Sequence, residues 1–262
     1  MNQETWAAVR GATRYEFKMQ IRRGIVWIIL PLGILLSLTG PTTPWRISAD
    51  TPLIEAVTEW ALLTQILLPV LFGILLADRL PRDKRIGVNE LFETMPSPAG
   101  GRFLGKYLGS TMATLIPILV FYLFGVTYLL VARGDWLALP LGLLVFVTVN
   151  LPGLLFVAAF SIACPAVIWT PLYQFLFVGY WVWGNLLLQG PSSGLYIPIP
   201  SLSHTLLTPI GFYIAGGLYG VYTSELAATF SDGLISIFLL VSGAVIPLVC
   251  AHHYLRWQQA RQ

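Results

Sequence analysis

From Tyr107 to Ser224 the chain carries only two charged residues, Arg133 and Asp135. A soluble domain of ordinary composition has about 25% charged residues. A stretch this long and this bare of charge has nothing to present to water. The whole chain follows the same pattern: 262 residues, 56% apolar, 10% charged, with mean hydropathy +0.75. A soluble enzyme domain is excluded on these grounds. So is a disordered chain, which needs high charge and low hydrophobicity. What remains is an all-α polytopic membrane protein, residues 1–262 forming a single transmembrane domain. At about 20 apolar residues per helical span there is room for about six spans.

Apolar stretches between charges place the spans at Ile21 to Thr39, Val57 to Ala77, Tyr107 to Val131, Leu137 to Ala163, Ile168 to Leu188 and Gly233 to Leu255. Thirteen of the fifteen Lys and Arg residues fall into three segments: before span one, between spans two and three, and after span six. The Lys/Arg bias of cytoplasmic loops puts these segments, and both termini, in the cytoplasm of a plasma-membrane protein. Leu202 to Tyr222 is nearly long enough to cross. It also holds Pro209, Gly211, Gly216, Gly217 and Gly220, a high density of helix breakers. The expectation is a re-entrant element on the outer face, within an external segment 190–232, buried by protein as such backbone must be. No cleavable leader is expected, because the first 23 residues are polar and charged and no small-residue cleavage site follows the apolar run. A net charge of +3 gives no reason to expect nucleic acid as a partner.

No carboxylate lies mid-membrane in this arrangement, and ion-coupled carriers usually place one there. The polar residues within spans are mild: Gln65, Asn150, Gln174 and Asn185. They either hydrogen-bond between helices or line a substrate path. Each span holds a proline (Pro31, Pro69, Pro117, Pro152, Pro171, Pro247), and proline frees a backbone carbonyl and permits a kink. Gly101, Gly105, Gly109 and Ala113 recur every four residues. That small-residue stripe lets a neighbouring helix come close, either within the chain or in a second subunit.

Three motif matches fail on context. Gly100 to Lys106 fits the start of a phosphate-binding loop, but Tyr107 stands where Ser or Thr is required and no strand precedes it. Gly190-Pro191-Ser192-Ser193-Gly194 fits a serine-nucleophile elbow, but it follows a span and has no acidic orienter near His204. Cys250, His252 and His253 cluster, but successive residues on a helix face different ways. No catalytic residue and no metal ligand is therefore expected. Cys164 and Cys250 sit in apolar context and read as small packing residues.

Two cytoplasmic elements carry more information. In residues 4–22, Trp6, Val9, Thr13, Phe17 and Ile21 share one helical face, and Arg10, Arg14, Lys18 and Arg22 form an adjacent cationic stripe at four-residue steps. This is the pattern of an interfacial helix, within a cytoplasmic segment 1–23, whose cations face lipid headgroups. Residues 78–106 form the one long cytoplasmic loop. In it Asn89 is an N-cap candidate for Glu90-Leu91-Phe92-Glu93-Thr94-Met95, and Pro96 and Pro98 stop the helix. A short helix offering Leu91, Phe92 and Met95 either lies on the membrane or docks into a partner's groove.

These two elements, in this order, resemble those of the permease subunits of ABC-2 type ABC transporters, over nearly the whole chain. The residues that carry the resemblance are Lys18 to Arg23 ahead of span one, then Asp78, Arg85, Gly87, Glu90-Leu91, Pro96 and Gly105-Lys106-Tyr107, together with the large outer segment before span six. The stretch Ser97-Pro98-Ala99-Gly100 departs from the family by lacking basic character. The resemblance implies six spans, an N-terminal elbow helix and a coupling helix over Asn89, Glu90, Leu91, Phe92, Glu93, Met95 and Pro96. It implies cytosolic ATPase subunits as partners, which bind the ATP and magnesium, and a second copy or homologous permease subunit. This chain would hold no cofactor and would not itself be an enzyme. Export of a substrate is the activity implied; the Tyr, Phe, Leu and Gly of the external segment separately point to apolar or amphipathic cargo. The other readings are a membrane anchor or assembly subunit and, further off, an intramembrane lipid- or peptide-modifying enzyme.

Overall fold

A computed structural model describes residues 3–38, 43–85, 99–187, 205, 207–214 and 228–259. Every regular element among them is helical. The chain opens with α1 (Gln3–Ile21) and α2 (Gly24–Ser37), then α3 (Leu53–Ala77) and the short α4 (Arg79–Arg85). Next come α5 (Ala99–Arg133), α6 (Ala138–Val145), a π-turn (Phe146–Asn150) and α7 (Leu151–Ala163). α8 (Thr170–Val182) runs into a second π-turn (Trp183–Leu187), and α9 (Leu207–Tyr213) and α10 (Phe230–Gln259) complete the described chain.

Four helical stretches are long and apolar enough to cross a membrane: Leu53–Arg82, Gly100–Arg133, Ala138–Ala166 and Phe230–Tyr254. They match the second, third, fourth and sixth expected spans. The first expected span is a helix of 14 residues, about 21 Å long, against a hydrocarbon core of about 30 Å. The fifth is a 13-residue helix extended by the second π-turn. Of the expected re-entrant element only Thr205 and residues 207–214 lie within the described residues. There α9, seven residues long, is about 10 Å and does not cross by itself.

α3 is the hub. Its apolar stretch is 67% buried, and it touches α2, α5, α6, α7, α8 and α9. Around it, Trp60, Leu68, Phe72, Phe121, Tyr122, Val126 and Val145 form the largest apolar core. The Trp60 indole N–H donates to the Tyr122 carbonyl at 2.9 Å, and the Tyr122 hydroxyl donates to the Gly142 carbonyl at 3.1 Å. A buried polar handle needs such a partner. α10 stands at the other extreme: 28% of its apolar stretch is buried. Phe238, Val245, Ile246 and Val249 point outward from it, as do Phe124 and Val131 from α5 and Phe175 and Leu176 from α8. Apolar perimeters of this extent belong against lipid or another protein, not water.

Helix ends follow the local chemistry. Gly134 takes the left-handed conformation (φ 66°) after α5, the usual glycine stop. Thr229 and Asp232 cap α10 reciprocally: the Thr229 N–H and hydroxyl donate to Asp232 Oδ2 at 2.8 and 2.7 Å, and the Asp232 N–H points back to the Thr229 hydroxyl at 3.4 Å. Threonine followed three residues later by a carboxylate is the sequence form of that cap. Arg133 Nη2 donates to the Ser48 carbonyl at 2.9 Å, tying the end of α5 to the turn before α3.

α5 begins eight residues earlier than the expected third span. At 35 residues it is about 52 Å long, well beyond what a bilayer core needs. α1 packs along the extra length, in the same chain direction. A Cβ added at Gly105 would lie 2.5 Å from Ala12 Cβ and 2.8 Å from the Val9 carbonyl oxygen; one at Gly109 would lie 2.5 Å from the Thr13 carbonyl oxygen. The glycine stripe therefore has its partner inside the chain. This changes the reading of the N-terminal helix. Its buried side chains are Val9, Glu16 and Gln20, while Trp6 is 59% exposed. The expected apolar face faces lipid only in part, because the missing side chains of α5 draw a neighbouring stripe of α1 inward. The glycine-rich stretch rejected as a phosphate loop is helical from Ala99 onward.

Candidate functional site

Two buried polar clusters stand out, one inside the helical core and one where α1 meets α5. The first is neutral and centres on Gln65 of α3, which is 1% exposed. Neither its Nε2 nor its Oε1 finds a hydrogen-bond partner among the described residues. Pro69, one turn on, has no N–H to offer the Gln65 backbone carbonyl, so this turn of α3 is polar on both counts. Gly153 of α7 faces the same amide so closely that a Cβ there would fall 1.6 Å from Gln65 Nε2 and 3.3 Å from Thr205 Cγ2.

The two π-turns deliver the other members. Asn150 closes the first, and its Nδ2 donates to the Ala61 carbonyl at 3.1 Å, one turn before Gln65. Asn150 Oδ1 has no partner among the described residues. Pro152 follows this turn and lacks the N–H that α-helical geometry would aim at Thr148; the π-turn accommodates that gap. The Thr148 hydroxyl meets the Tyr213 hydroxyl of α9 at 2.8 Å. Asn185 sits in the second π-turn, and its Oδ1 accepts from the Thr205 N–H at 3.0 Å and hydroxyl at 2.7 Å. Trp181, one turn earlier, donates its indole N–H to the Ile66 carbonyl at 3.2 Å. A π-turn re-aims a side chain by adding one residue to the turn, and such turns gather at functional sites.

Of the four expected pathway residues, Gln65, Asn150 and Asn185 therefore come together and Gln174 does not. Gln174 Nε2 donates to the Ile74 carbonyl at 3.0 Å, nine residues along α3 from Gln65, about 13 Å away. Its role is to tie α8 to α3. Thr205 and Gly153 belong to the cluster and carry no sequence signal of their own.

The second cluster is ionic. Glu16 and Gln20 of α1 are buried, as is Arg79, 2% exposed, at the start of α4. Lys106 Nζ of α5 lies 3.8 Å from Glu16 Oε1, while Glu16 Oε2 has no hydrogen-bond partner among the described residues. Arg23, Asp78, Arg82 and Glu16 are the charged neighbours of Arg79. Burial and the nearby Arg82 hold the Arg23 guanidinium below its ordinary value, with Glu16 and Asp78 opposing the shift. The cluster thus joins α1 to both stems of the 78–106 loop: Arg79 and Arg82 on the side that enters it, Lys106 on the side that leaves.

Among the expected interfacial residues, Arg10, Arg14, Lys18 and Arg22 are exposed as a cationic face; Phe17 is half-buried beside Gly109. The expected coupling segment, Asn89, Glu90, Leu91, Phe92, Glu93, Met95 and Pro96, lies outside the described residues, as does the Ser192 motif. Among the described residues no group of three or more His, Cys, Asp or Glu is placed to hold a metal. His252 packs against Gly100 instead, its ring 2.4 Å from where a Cβ would stand. The chain matches no protein-family model and no curated protein.

Proposed function

We propose that this chain is the membrane-spanning permease subunit of an ATP-driven ABC-2 type transporter, exporting its substrate with ATP hydrolysed by a separate cytosolic subunit. In this reading the chain crosses six times with both termini cytoplasmic. α2 and α8 then complete the set begun by the four long apolar helices. The segment 89–96 is the coupling helix, and the subunit pairs with a second copy or a homologue.

The observation that carries the reading is the ionic cluster. A partner that pushes on the 78–106 loop acts directly on α3, through Asp78 and Arg79, and on α5, through Lys106; Glu16 couples both to α1. The loop's stems are therefore mechanically joined to helices that continue through the core. The amide cluster supports the same reading from the other end. Among the described residues it offers polar contacts without a carboxylate or histidine, which suits a path whose energy is delivered from elsewhere. Kinkable helices bearing Pro31, Pro69, Pro117 and Pro247 suit a conformational cycle.

The test is co-purification. The tagged chain should bring down an ABC ATPase from its native membrane, and Leu91→Asp with Phe92→Asp should abolish that recovery while leaving the chain folded. Unchanged ATPase recovery from the double variant would remove the coupling assignment. ATP-dependent substrate movement in vesicles that contain both subunits separates a permease from an anchor.

A further inference from the structure

Arg79 is buried to within 2% of full enclosure, yet its Nε and Nη2 have no hydrogen-bond partner among the described residues. These two nitrogens form one edge of the guanidinium, the fork that grips two oxygens of a phosphate or carboxylate side by side. A buried fork whose nitrogens lack hydrogen-bond partners is costly, because an arginine keeps its charge there. The described charged neighbours of Arg79 are mainly cationic: Arg23, Arg82 and Lys106 stand beside Glu16 and Asp78.

We infer that this cationic cluster, where Arg79 of α4 meets Glu16 of α1 and Lys106 of α5, binds a phosphate group, with the Arg79 fork as its anchor and Arg23 and Arg82 beside it. A phosphomonoester fits the fork, since it offers paired oxygens and a negative charge to an arginine among cationic neighbours. The same chemistry comes from a lipid headgroup or from free phosphate. The outward face of α1, with Arg10, Arg14, Lys18 and Arg22 exposed, would concentrate anionic headgroups beside the cluster. A site of this kind would serve an anchor as well as a transporter, so the inference does not rest on the permease reading.

The test uses the full chain in neutral detergent, titrated with short-chain phosphatidic acid, short-chain phosphatidylcholine and inorganic phosphate, and read by thermal unfolding and native mass spectrometry. Phosphatidic acid should raise the unfolding temperature saturably and appear as a bound adduct, with phosphatidylcholine at least tenfold weaker. Saturation by inorganic phosphate at matching concentrations would keep the phosphate site and assign it to the free ion. Arg79→Lys keeps a charge but loses the fork, and should weaken binding tenfold or more. Glu16→Gln removes a competing carboxylate and should tighten it, which gives a second reading if Arg79→Lys folds poorly. Equal binding by the wild type and Arg79→Lys, or no response to any phosphate, would overturn the inference.

Discussion

The amide cluster around Gln65 and the ionic cluster around Glu16 are both buried, but they are joined to the fold in different ways. Gln65, Asn150 and Asn185 are neutral, and they are drawn to one region because two π-turns and a glycine let α3, α7 and the end of α8 meet. Glu16, Arg79 and Lys106 are charged, and they meet because Gly105 and Gly109 let α1 lie against α5. A neutral buried group loses little when replaced by an apolar one of the same shape; a buried charge that loses its counter-charge loses much. The unpartnered Gln65 amide is thus dispensable for stability, while the ionic cluster holds the N-terminal helix in place.

The largest expected effect breaks the ionic side. Glu16→Leu leaves Lys106 and Arg79 short of a buried counter-charge and should destabilise by about 3–5 kcal/mol, read by denaturant unfolding in detergent. Gln65→Leu should fall within about 1 kcal/mol of the wild type. If the two variants lose the same stability, the contrast between the clusters is wrong. Next, Gly109→Leu drives a side chain into the Thr13 backbone and should cost about 3 kcal/mol. Gly11→Ala, with open space around it, should gain up to about 1 kcal/mol. A stable, well-folded Gly109→Leu would mean that α1 does not dock along α5.

Asn185→Ala strands the Thr205 N–H and hydroxyl and should cost about 1–3 kcal/mol; a neutral result would place Thr205 elsewhere. Gly153→Ala displaces only the flexible end of Gln65 and should cost about 1 kcal/mol. Adding Gln65→Ala should restore that loss, and failure to do so would separate the two residues. The smallest effect is electrostatic. Folding partly buries the Arg23 cation and brings it beside Arg82, and both lower its affinity for the proton, so the charged form is the one that folding disfavours. That penalty is present at every pH at which arginine is protonated, and so is flat over roughly pH 5 to 9. Arg23→Gln should raise the unfolding temperature slightly, and molar salt should reduce the difference by screening the Arg82 repulsion. A pH-dependent difference would implicate another group.

Much of this architecture is legible in the sequence for identifiable reasons. Long uncharged runs mark α3, α5, the α6–α7 stretch and α10, because a bilayer-length apolar stretch has few other uses. The exposed stripe of Arg10, Arg14, Lys18 and Arg22 follows from four-residue spacing alone. The buried Glu16 and Gln20 do not, since a polar residue on a short amphipathic helix reads as solvent-facing. The clue lay in the partner: Lys106 sits inside the glycine stripe, one residue after Gly105. The π-turns leave no pattern of their own, because one added residue shifts a side chain without altering composition; Pro152 is the single hint. Gln65, Asn150, Gln174 and Asn185 look alike in sequence, and only tertiary packing separates the three that meet from the one that does not.

The Gly105–Gly109 groove also sets an order of events during synthesis. α1 is translated about ninety residues before the surface that receives it. At roughly 5–20 residues per second the newborn helix waits for about 5–20 s before its groove exists. Through that interval Glu16 has no Lys106 to meet. α1 therefore cannot settle before α5 is made, and an insertion machinery or a lipid surface must hold it meanwhile.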